Sequence, residues 1–229
     1  MNFKQRSYQQ ELLDRTDIPF EDIRRNMQEL NTINTWLGGH AVTLLGFRQL
    51  VGKKKEIHVC EIGCGGGDNL MTIFRWCRKH SINVQLTGID INPFCIEVAT
   101  TRLAETGASL ICSDYKTALQ EGTKADIIFS SLFCHHFPET ELRGMLTWMQ
   151  RHSRQGFFIN DLHRHFLAYY SIKFITAVCS RSYLVKNDAP LSVRRGFSRG
   201  EWRQLCAAAG INASIEWKWA FRWLICSKN

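Results

Sequence analysis

Three glycines and two acids in one short stretch are the residues of this sequence best suited to binding a ligand. Gly63, Gly65 and Gly67 follow an apolar run that ends in Glu61, and Asp68 comes directly after them. This spacing differs from the G-x-G-x-x-G turn that binds a dinucleotide pyrophosphate, because Asp68 stands where the third glycine would fall. A carboxylate there would repel a pyrophosphate but would tolerate a ligand that carries an ammonium group. The stretch predicts a strand, a glycine turn and a helix that bind a nucleotide-like ligand.

The run Glu61-Ile62-Gly63-Cys64-Gly65-Gly66-Gly67 resembles the first motif of class I S-adenosylmethionine-dependent methyltransferases. S-adenosylmethionine suits these residues because it carries an α-amino group and a sulfonium and has no phosphate. The resemblance covers residues 57–229 in element order and implies methyl transfer with S-adenosylmethionine as cofactor. A glycine turn without a ligand is the alternative. The resemblance implies this set of cofactor-binding residues: Glu61, Gly63, Cys64, Gly65, Gly67, Asp90, Ile91, Ser113, Asp114, Tyr115, Ser131 and Leu132.

A second acid lies at the distance from the glycine turn that is typical of a residue that binds ribose. Asp90 ends the apolar run Val84–Asp90 and follows Gly67 by 23 positions, close to the ~20 that separate turn and acid in such folds. A carboxylate accepts hydrogen bonds from both ribose hydroxyls at once. After the next predicted strand, the resemblance implies that Asp114 binds the adenine amino group and that Tyr115 packs on the ring.

Several histidines follow predicted strands, at the sheet edge where the ligand of an open α/β sheet binds. A neutral histidine there could remove the proton of a phenol as the phenol attacks the methyl group. The candidate bases are His136, His135 and His163, and His136 matches the more regular histidine of quinone-biosynthesis and related small-molecule methyltransferases. Structural histidines remain the alternative for each. Asp161 is the lone acid near these edges, so the sequence predicts no metal.

The order of predicted elements indicates an α/β fold of one domain over residues 1–229. The resemblance implies a Rossmann-like, seven-stranded, mostly parallel sheet with helices on both faces and an antiparallel last strand. Four segments are predicted along it: a helical N-terminal lid (1–51), a cofactor-binding core (57–163), a helical insertion or cap after strand 5 (164–197), and a terminal helix and strand pair (198–229). The insertion predicts one apolar helix over 166–178, too short to span a bilayer.

Composition limits the class of protein less sharply. The chain has 229 residues, 45% hydrophobic content and a formal net charge of +8, which permits a nucleic-acid or anionic partner and proves neither. The odd number of cysteines, nine, predicts buried thiols in a reducing cytoplasm. No transmembrane segment or secretory signal is expected, and either a monomer or a homodimer is compatible with the sequence.

The acceptor is the least defined part of the prediction. Residues 130–133 read Ser-Ser-Leu-Phe where enzymes that methylate exocyclic amines carry an Asn- or Asp-Pro-Pro-aromatic motif. The sequence therefore favours a small, apolar or aromatic acceptor (phenolic, polyketide or quinone-like) methylated on oxygen, as in secondary metabolism. Methylation of RNA or protein, encouraged by the positive charge, is one alternative. A binding module without turnover is the other.

Overall fold

The computed structural model describes residues 2–15, 17–119 and 123–229. Its sheet has seven strands in the order β3-β2-β1-β4-β5-β7-β6. Six strands run in one direction and β7 runs antiparallel to both of its neighbours. The predicted α/β fold, with a mostly parallel seven-stranded sheet and an antiparallel last strand, is confirmed. The strands are β1 (Glu56–Ile62), β2 (Asn83–Asp90), β3 (Ser109–Cys112), β4 (Ala125–Ser131), β5 (Ser153–Leu162), β6 (Ser214–Lys218) and β7 (Arg222–Lys228).

The helices alternate with the strands through most of the chain. Two short 3-10 turns, Leu12–Asp14 and Cys134–His136, also occur among the described residues. The helices are α1 (Phe20–Trp36), α2 (Gly39–Val51), α3 (Asp68–Lys79), α4 (Pro93–Arg102), α5 (Tyr115–Ala118), α6 (Glu139–His152), α7 (Phe166–Cys179), α8 (Tyr183–Arg195) and α9 (Arg199–Ala208).

Successive residues of the central strands serve opposite faces of the sheet. Ile127 of β4 packs with α2, α3 and α4, whereas Ile128 packs with α6 and α9. Both side chains are fully buried, so the middle of β4, residues 127–129, is apolar on both faces instead of alternating with polar residues. Helices on both faces leave the carboxyl ends of the parallel strands as the open edge of the sheet, and that edge positions the candidate site.

The N-terminal segment forms two structures in place of the single lid expected over 1–51. Helix α2 packs on β4, β5 and β7 and is therefore one of the helices that cover a face of the sheet. A Cβ at Gly46 would lie 2.5 Å from the Phe158 ring, so glycine lets this helix approach the strand closely. Residues 2–15 are the part that lies over the open edge. Trp36 is exposed at the end of α1.

The insertion consists of two helices, α7 and α8, where the sequence predicted one. Ser182 begins α8 by accepting a hydrogen bond from the Val185 amide, a cap that the apolar pattern of α7 does not reveal. The buried face of α7 and Val193 of α8 pack against Phe3 and Ile33 from the N-terminal segment. Within the described ranges, no helix combines the length and hydropathy that a bilayer crossing requires.

Candidate active site

The glycine turn after β1 has the backbone conformation that only glycine adopts without strain. Gly63, Gly65 and Gly67 have φ values of +67°, +49° and +76°. A Cβ on Gly63 would lie 2.1 Å from the Phe133 ring. Helix α3 begins at the end of the turn with Gly67 as its N-cap and has no side-chain cap within the described part of the chain. The turn therefore presents backbone, free of side chains, to whatever lies against it.

Glu61 supplies an unpaired buried carboxylate oxygen beside the turn. Its Oε1 accepts a hydrogen bond from Asn69 Nδ2 at 3.1 Å, while Oε2 is buried and has no partner among the described residues. Asn69 is held in turn by His40 and Thr43, both on its Oδ1. Burial raises the pKa of Glu61 well above its ordinary value. An orphaned carboxylate oxygen next to a glycine cradle suits a ligand with an ammonium group.

Asp90, the last residue of β2, connects this strand to the glycine turn through hydrogen bonds. Its Oδ2 accepts from the Gly65 amide and its Oδ1 accepts from the Asn92 amide, both at 2.9 Å. Burial raises the pKa of this carboxyl group. Each oxygen keeps a further lone pair for a hydroxyl donor. Ile91, the next residue, is 72% exposed although it is apolar, as expected of a residue that contacts a ligand.

Gly63, Gly65, Asp90 and Ile91 line a cavity of about 870 Å³ at the open edge of the sheet. Leu132 lies at its wall with φ at +54°, a strained conformation for leucine that is common at functional sites. The volume is at the upper end of the range for small-molecule sites. The lining residues are Tyr8, Gln10, Leu13, Asp14, Arg15, Ile18, Ile23, Gly63, Gly65, Asp90, Ile91, Asn92, Pro93, Phe94, Cys95, Leu132, Phe133, His136, Phe137 and Arg195.

His136 is the candidate base that lines this cavity. Its Nδ1 lies 3.2 Å from Asp14 Oδ1, and its Nε2 lies 3.7 Å from Glu11 Oε2. The second separation exceeds hydrogen-bond length, so His136 Nε2 makes no hydrogen bond to Glu11. Burial opposes ionisation of Glu11, but His135 and His136 outweigh it and lower its pKa to about 2. Burial also opposes ionisation of Asp14, and His136 again lowers the pKa. An imidazolium at His136 would therefore face two carboxylates.

His135 is buried behind His136 and has a different environment. Its Nδ1 lies 2.8 Å from Asp161 Oδ1, and its Nε2 lies 3.5 Å from Glu11 Oε1. Burial would lower the pKa of His135, but the Asp161 and Glu11 carboxylates raise it to about 9. A histidine that is already protonated at neutral pH is a poor base. His135 is buried and is not among the cavity-lining residues, so its environment favours a structural role.

Glu11, His135 and His136 each offer one metal-ligand atom, and these atoms lie within 4.8 Å of one another. A guanidinium already supplies positive charge there. Arg195 Nε lies 3.8 Å from Glu11 Oε1, and its Nη1 lies 3.7 Å from Asp14 Oδ2. A divalent cation would be repelled by this group, so the cluster fits a hydrogen-bonded ion network better than a metal centre.

His163 lies away from the cavity. Trp217 Nε1 donates a hydrogen bond to its Nδ1 at 3.2 Å, and its ring packs edge-on against Trp223. Burial and the neighbouring His165 and Arg164 lower the pKa of His163 to about 4. The sequence placed it at a strand end correctly, but the insertion that follows β5 covers that end, and His163 is not among the cavity-lining residues.

The residues predicted to hold adenine are used elsewhere. Asp114 caps α5 by accepting from the Lys116 amide at 2.9 Å, and Ser113 bonds to Thr117. Tyr115 is buried in the core, edge-on to Phe133. None of the three lines the cavity; nor do Glu61, Cys64, Gly67 and Ser131, which lie beneath or beside its wall.

Residues 6–14 supply site residues that the sequence did not reveal. The 3-10 turn Leu12–Asp14 is held by Asp188, whose two oxygens accept from the Leu12 and Leu13 amides at 2.8 and 2.9 Å. Arg6 Nη2 donates to the carbonyl of His135 at 3.2 Å. These contacts bring Glu11 and Asp14 to the two histidines. The acids have no motif of their own, so only the tertiary fold identifies them.

The sheet order, the glycine turn and the acid at the end of β2 are those of the class I methyltransferase fold. Residues 59–156 match the family model described as a methyltransferase domain, and no curated protein sequence matches the chain. The resemblance to class I S-adenosylmethionine-dependent methyltransferases, and with it the assignment as a methyltransferase, is confirmed.

Solved structures agree with this fold at low sequence identity. The plantazolicin methyltransferase BpumL in complex with SAH is 22% identical over 87% of this chain and 73% of that chain, with a TM-score of 0.64. The plantazolicin methyltransferase BamL, in complex with a triazolic desmethylPZN analog and SAH, is 21% identical over 87% and 70%, with a TM-score of 0.60. The magnesium protoporphyrin IX methyltransferase ChlM from Synechocystis PCC 6803 with bound SAH is 15% identical over 94% and 89%, with a TM-score of 0.53.

Proposed function

We propose that this chain transfers the methyl group of S-adenosylmethionine to an oxygen of a small, apolar or aromatic acceptor, of phenolic, polyketide or quinone-like chemistry. The observation that carries the proposal is that Gly63, Gly65, Asp90 and His136 line one cavity. The cofactor-binding residues and a proton acceptor therefore border the same space. The SAH bound in similar structures supports the cofactor.

The residues present fit the proposed cofactor. The unpaired Oε2 of Glu61 suits an α-amino group, and Asp90 has lone pairs for the ribose hydroxyls. The glycine turn leaves room for a ligand to approach the backbone. Bound there, S-adenosylmethionine would supply an electrophilic methyl group on a sulfonium. The predicted roles of Ser113, Asp114 and Tyr115 remain proposals that the cofactor-bound structure would test.

His136 is proposed to accept the proton of the acceptor hydroxyl at Nε2. Asp14, 3.2 Å from Nδ1, would orient the ring, and Asp14 and Glu11 would stabilise the imidazolium as it forms. Phe133 and Phe137 give the cavity an apolar wall, which favours an aromatic acceptor and excludes water from it.

A cofactor-turnover screen tests the proposal directly. The protein is incubated with S-adenosylmethionine and separate sets of phenols, quinone precursors, carboxylates and RNA, and formation of SAH is measured. We expect turnover with apolar phenols or quinone precursors and none with RNA. Turnover confined to RNA, or binding of the cofactor without turnover of any set, would overturn the proposed acceptor class.

A further inference from the structure

Helix α7 presents a continuous apolar face to solvent. Leu167, Tyr170, Phe174 and Val178 are spaced three and four residues apart, which places them on one side of the helix. All four are exposed, Phe174 by 72% and Val178 by 68%. The opposite face packs on α8 and the N-terminal segment through Ala168, Tyr169, Ile172 and Thr176. Because α7 is apolar on both sides, one of its apolar faces stays in water, and an exposed apolar face of this kind indicates an interaction surface.

The apolar face continues into exposed aromatic residues of the strand pair. Phe166, at the start of α7, packs on His165, whose ring stacks on Phe221 at 5.2 Å. Trp217 and Trp219 in turn contact the Phe221 ring, with centroids 6.0 and 6.4 Å away. Both tryptophans are exposed. The surface is therefore rich in Trp, Tyr and Phe, the residues that partition into the interface between lipid and water.

The exposed charged residues of the insertion are all basic: Lys173, Arg181 and Lys186. Glu29 of α1, by contrast, accepts hydrogen bonds from Ser180 Oγ and the Arg181 amide at the end of α7. Residues 164–197 contain six basic residues and one acid, Asp188. Asp188 is buried and accepts hydrogen bonds from the Leu12 and Leu13 amides. Lys173, Lys186 and Arg194 line a shallow hollow between α7 and α8. An anionic surface would meet only positive charge at this hollow.

The hollow and the candidate active site lie on opposite sides of the same two backbone segments. Gln9 lines the hollow, whereas Tyr8 and Gln10 line the cavity. Arg194 lines the hollow, and the adjacent Arg195 lines the cavity. One layer of backbone, formed by residues 8–10 and 194–195, thus separates the basic hollow from the cavity.

We propose that the exposed face of α7, with the basic hollow beside it, docks on an anionic lipid surface. The helix would lie in the plane of the interface, with Leu167, Tyr170, Phe174 and Val178 inserted and Lys173 reaching the headgroups. A second copy of this chain fits less well, because a two-fold interface would bring the same lysines face to face. Docking in this position would set the cavity close to apolar molecules dissolved in the lipid.

Vesicle flotation of the full chain tests this docking. The protein is mixed with vesicles of phosphatidylcholine alone, or of phosphatidylcholine with about 30% phosphatidylglycerol, and its partition coefficient is measured. We expect partition onto the anionic vesicles to be about tenfold stronger or more, and to weaken as salt is raised. The double variant Tyr170→Ser, Phe174→Ser should lose about tenfold of this binding or more, since two inserted aromatic side chains are removed.

Charge variants distinguish this site from a general effect of the net charge. Lys173→Glu with Lys186→Glu should weaken partition onto anionic vesicles by about tenfold or more. The control, Lys53→Glu with Lys55→Glu, makes the same charge change in the loop before β1, at the opposite end of the strands, and should change partition by less than about threefold. All substituted side chains are exposed, and circular dichroism checks that each variant is folded.

Three results would overturn the proposal. The wild-type chain could fail to bind anionic vesicles, or the control variant could lose as much binding as the variant in the hollow. In the third case, sedimentation would show a dimer that Phe174→Ser dissociates, without binding to lipid, and the face would then be a contact between two copies of the chain.

Discussion

Replacing His136 by glutamine tests whether this residue handles the proton in methyl transfer. Glutamine keeps a polar side chain of similar length that can still hydrogen-bond to Asp14, but it accepts no proton near neutral pH. Loss of a general base lowers a rate by about 10²–10⁴-fold. In free energy of the transition state, this corresponds to about 3–5 kcal/mol. We therefore expect kcat to fall by that factor while the affinity for S-adenosylmethionine stays the same, because Asp90 and the glycine turn are unchanged.

The contribution of Asp14 follows from its distance to the imidazole. At 3.2 Å between Nδ1 and Oδ1, the Coulomb energy of an imidazolium–carboxylate pair is about 5 kcal/mol at an effective dielectric constant of about 20. Asp14 is about one-third exposed, and solvent screening reduces the useful part to about 1–2 kcal/mol. The variant Asp14→Asn keeps the shape and removes the charge, so kcat should fall by about 5- to 30-fold. This loss is smaller than that of His136→Gln.

The assay follows transfer of a labelled methyl group to a saturating acceptor, with calorimetry of S-adenosylmethionine binding alongside. His163→Gln is the matched control, because the same substitution is made at a histidine outside the cavity and should leave kcat within about threefold. The reasoning is refuted if His136→Gln keeps kcat within about threefold of wild type. It is also refuted if His163→Gln loses as much rate as His136→Gln.

Three further predictions use the same preparation. Asp90→Ala should weaken binding of S-adenosylmethionine by about 1–3 kcal/mol in calorimetry, the value of a lost charged acceptor, and unchanged affinity would contradict its role. The raised pKa of His135, about 9 against an ordinary 6.5, gives stability that is complete below about pH 6.5 and lost as pH rises through about 9. The advantage of wild type over His135→Gln in free energy of unfolding should therefore shrink by about 3 kcal/mol between about pH 6 and pH 9.5, and a constant difference in denaturant titrations would refute this. Exhaustive dialysis against EDTA should leave methyl transfer unchanged, because Arg195 already lies beside Glu11; restoration of a lost rate by added zinc would show a metal centre instead.

The cofactor half of the site could be predicted because its residues lie on consecutive elements. Gly63, Gly65 and Asp90 follow strands that are adjacent in the sheet, so a local pattern of strand, turn and helix places them together. The same local logic does not decide the role of Asp114. A carboxylate directly after a strand can cap the next helix or face a ligand, and the residue type is the same in both cases. Here it caps α5.

The acceptor half could not be predicted because its residues come from distant parts of the chain. Glu11 and Asp14 meet His136 more than 120 positions away, and Arg195 reaches the same cluster from α8. No periodicity links an acid in a 3-10 turn to a histidine after β4. The pairing depends on Asp188 and Arg6, which hold the N-terminal segment in place. Such contacts exist only after folding.

The adjacent histidines illustrate how environment, more than residue type, determines chemistry. His135 and His136 share one 3-10 turn and the Glu11 carboxylate. His135 also meets the buried Asp161, which keeps it protonated and fixes the turn, whereas His136 faces the cavity. Because Glu11 and Asp14 arrive with the N-terminal segment, the two carboxylates reach His136 only when that segment is docked. The segment that lines the cavity therefore also supplies both carboxylates beside His136, the proposed proton acceptor.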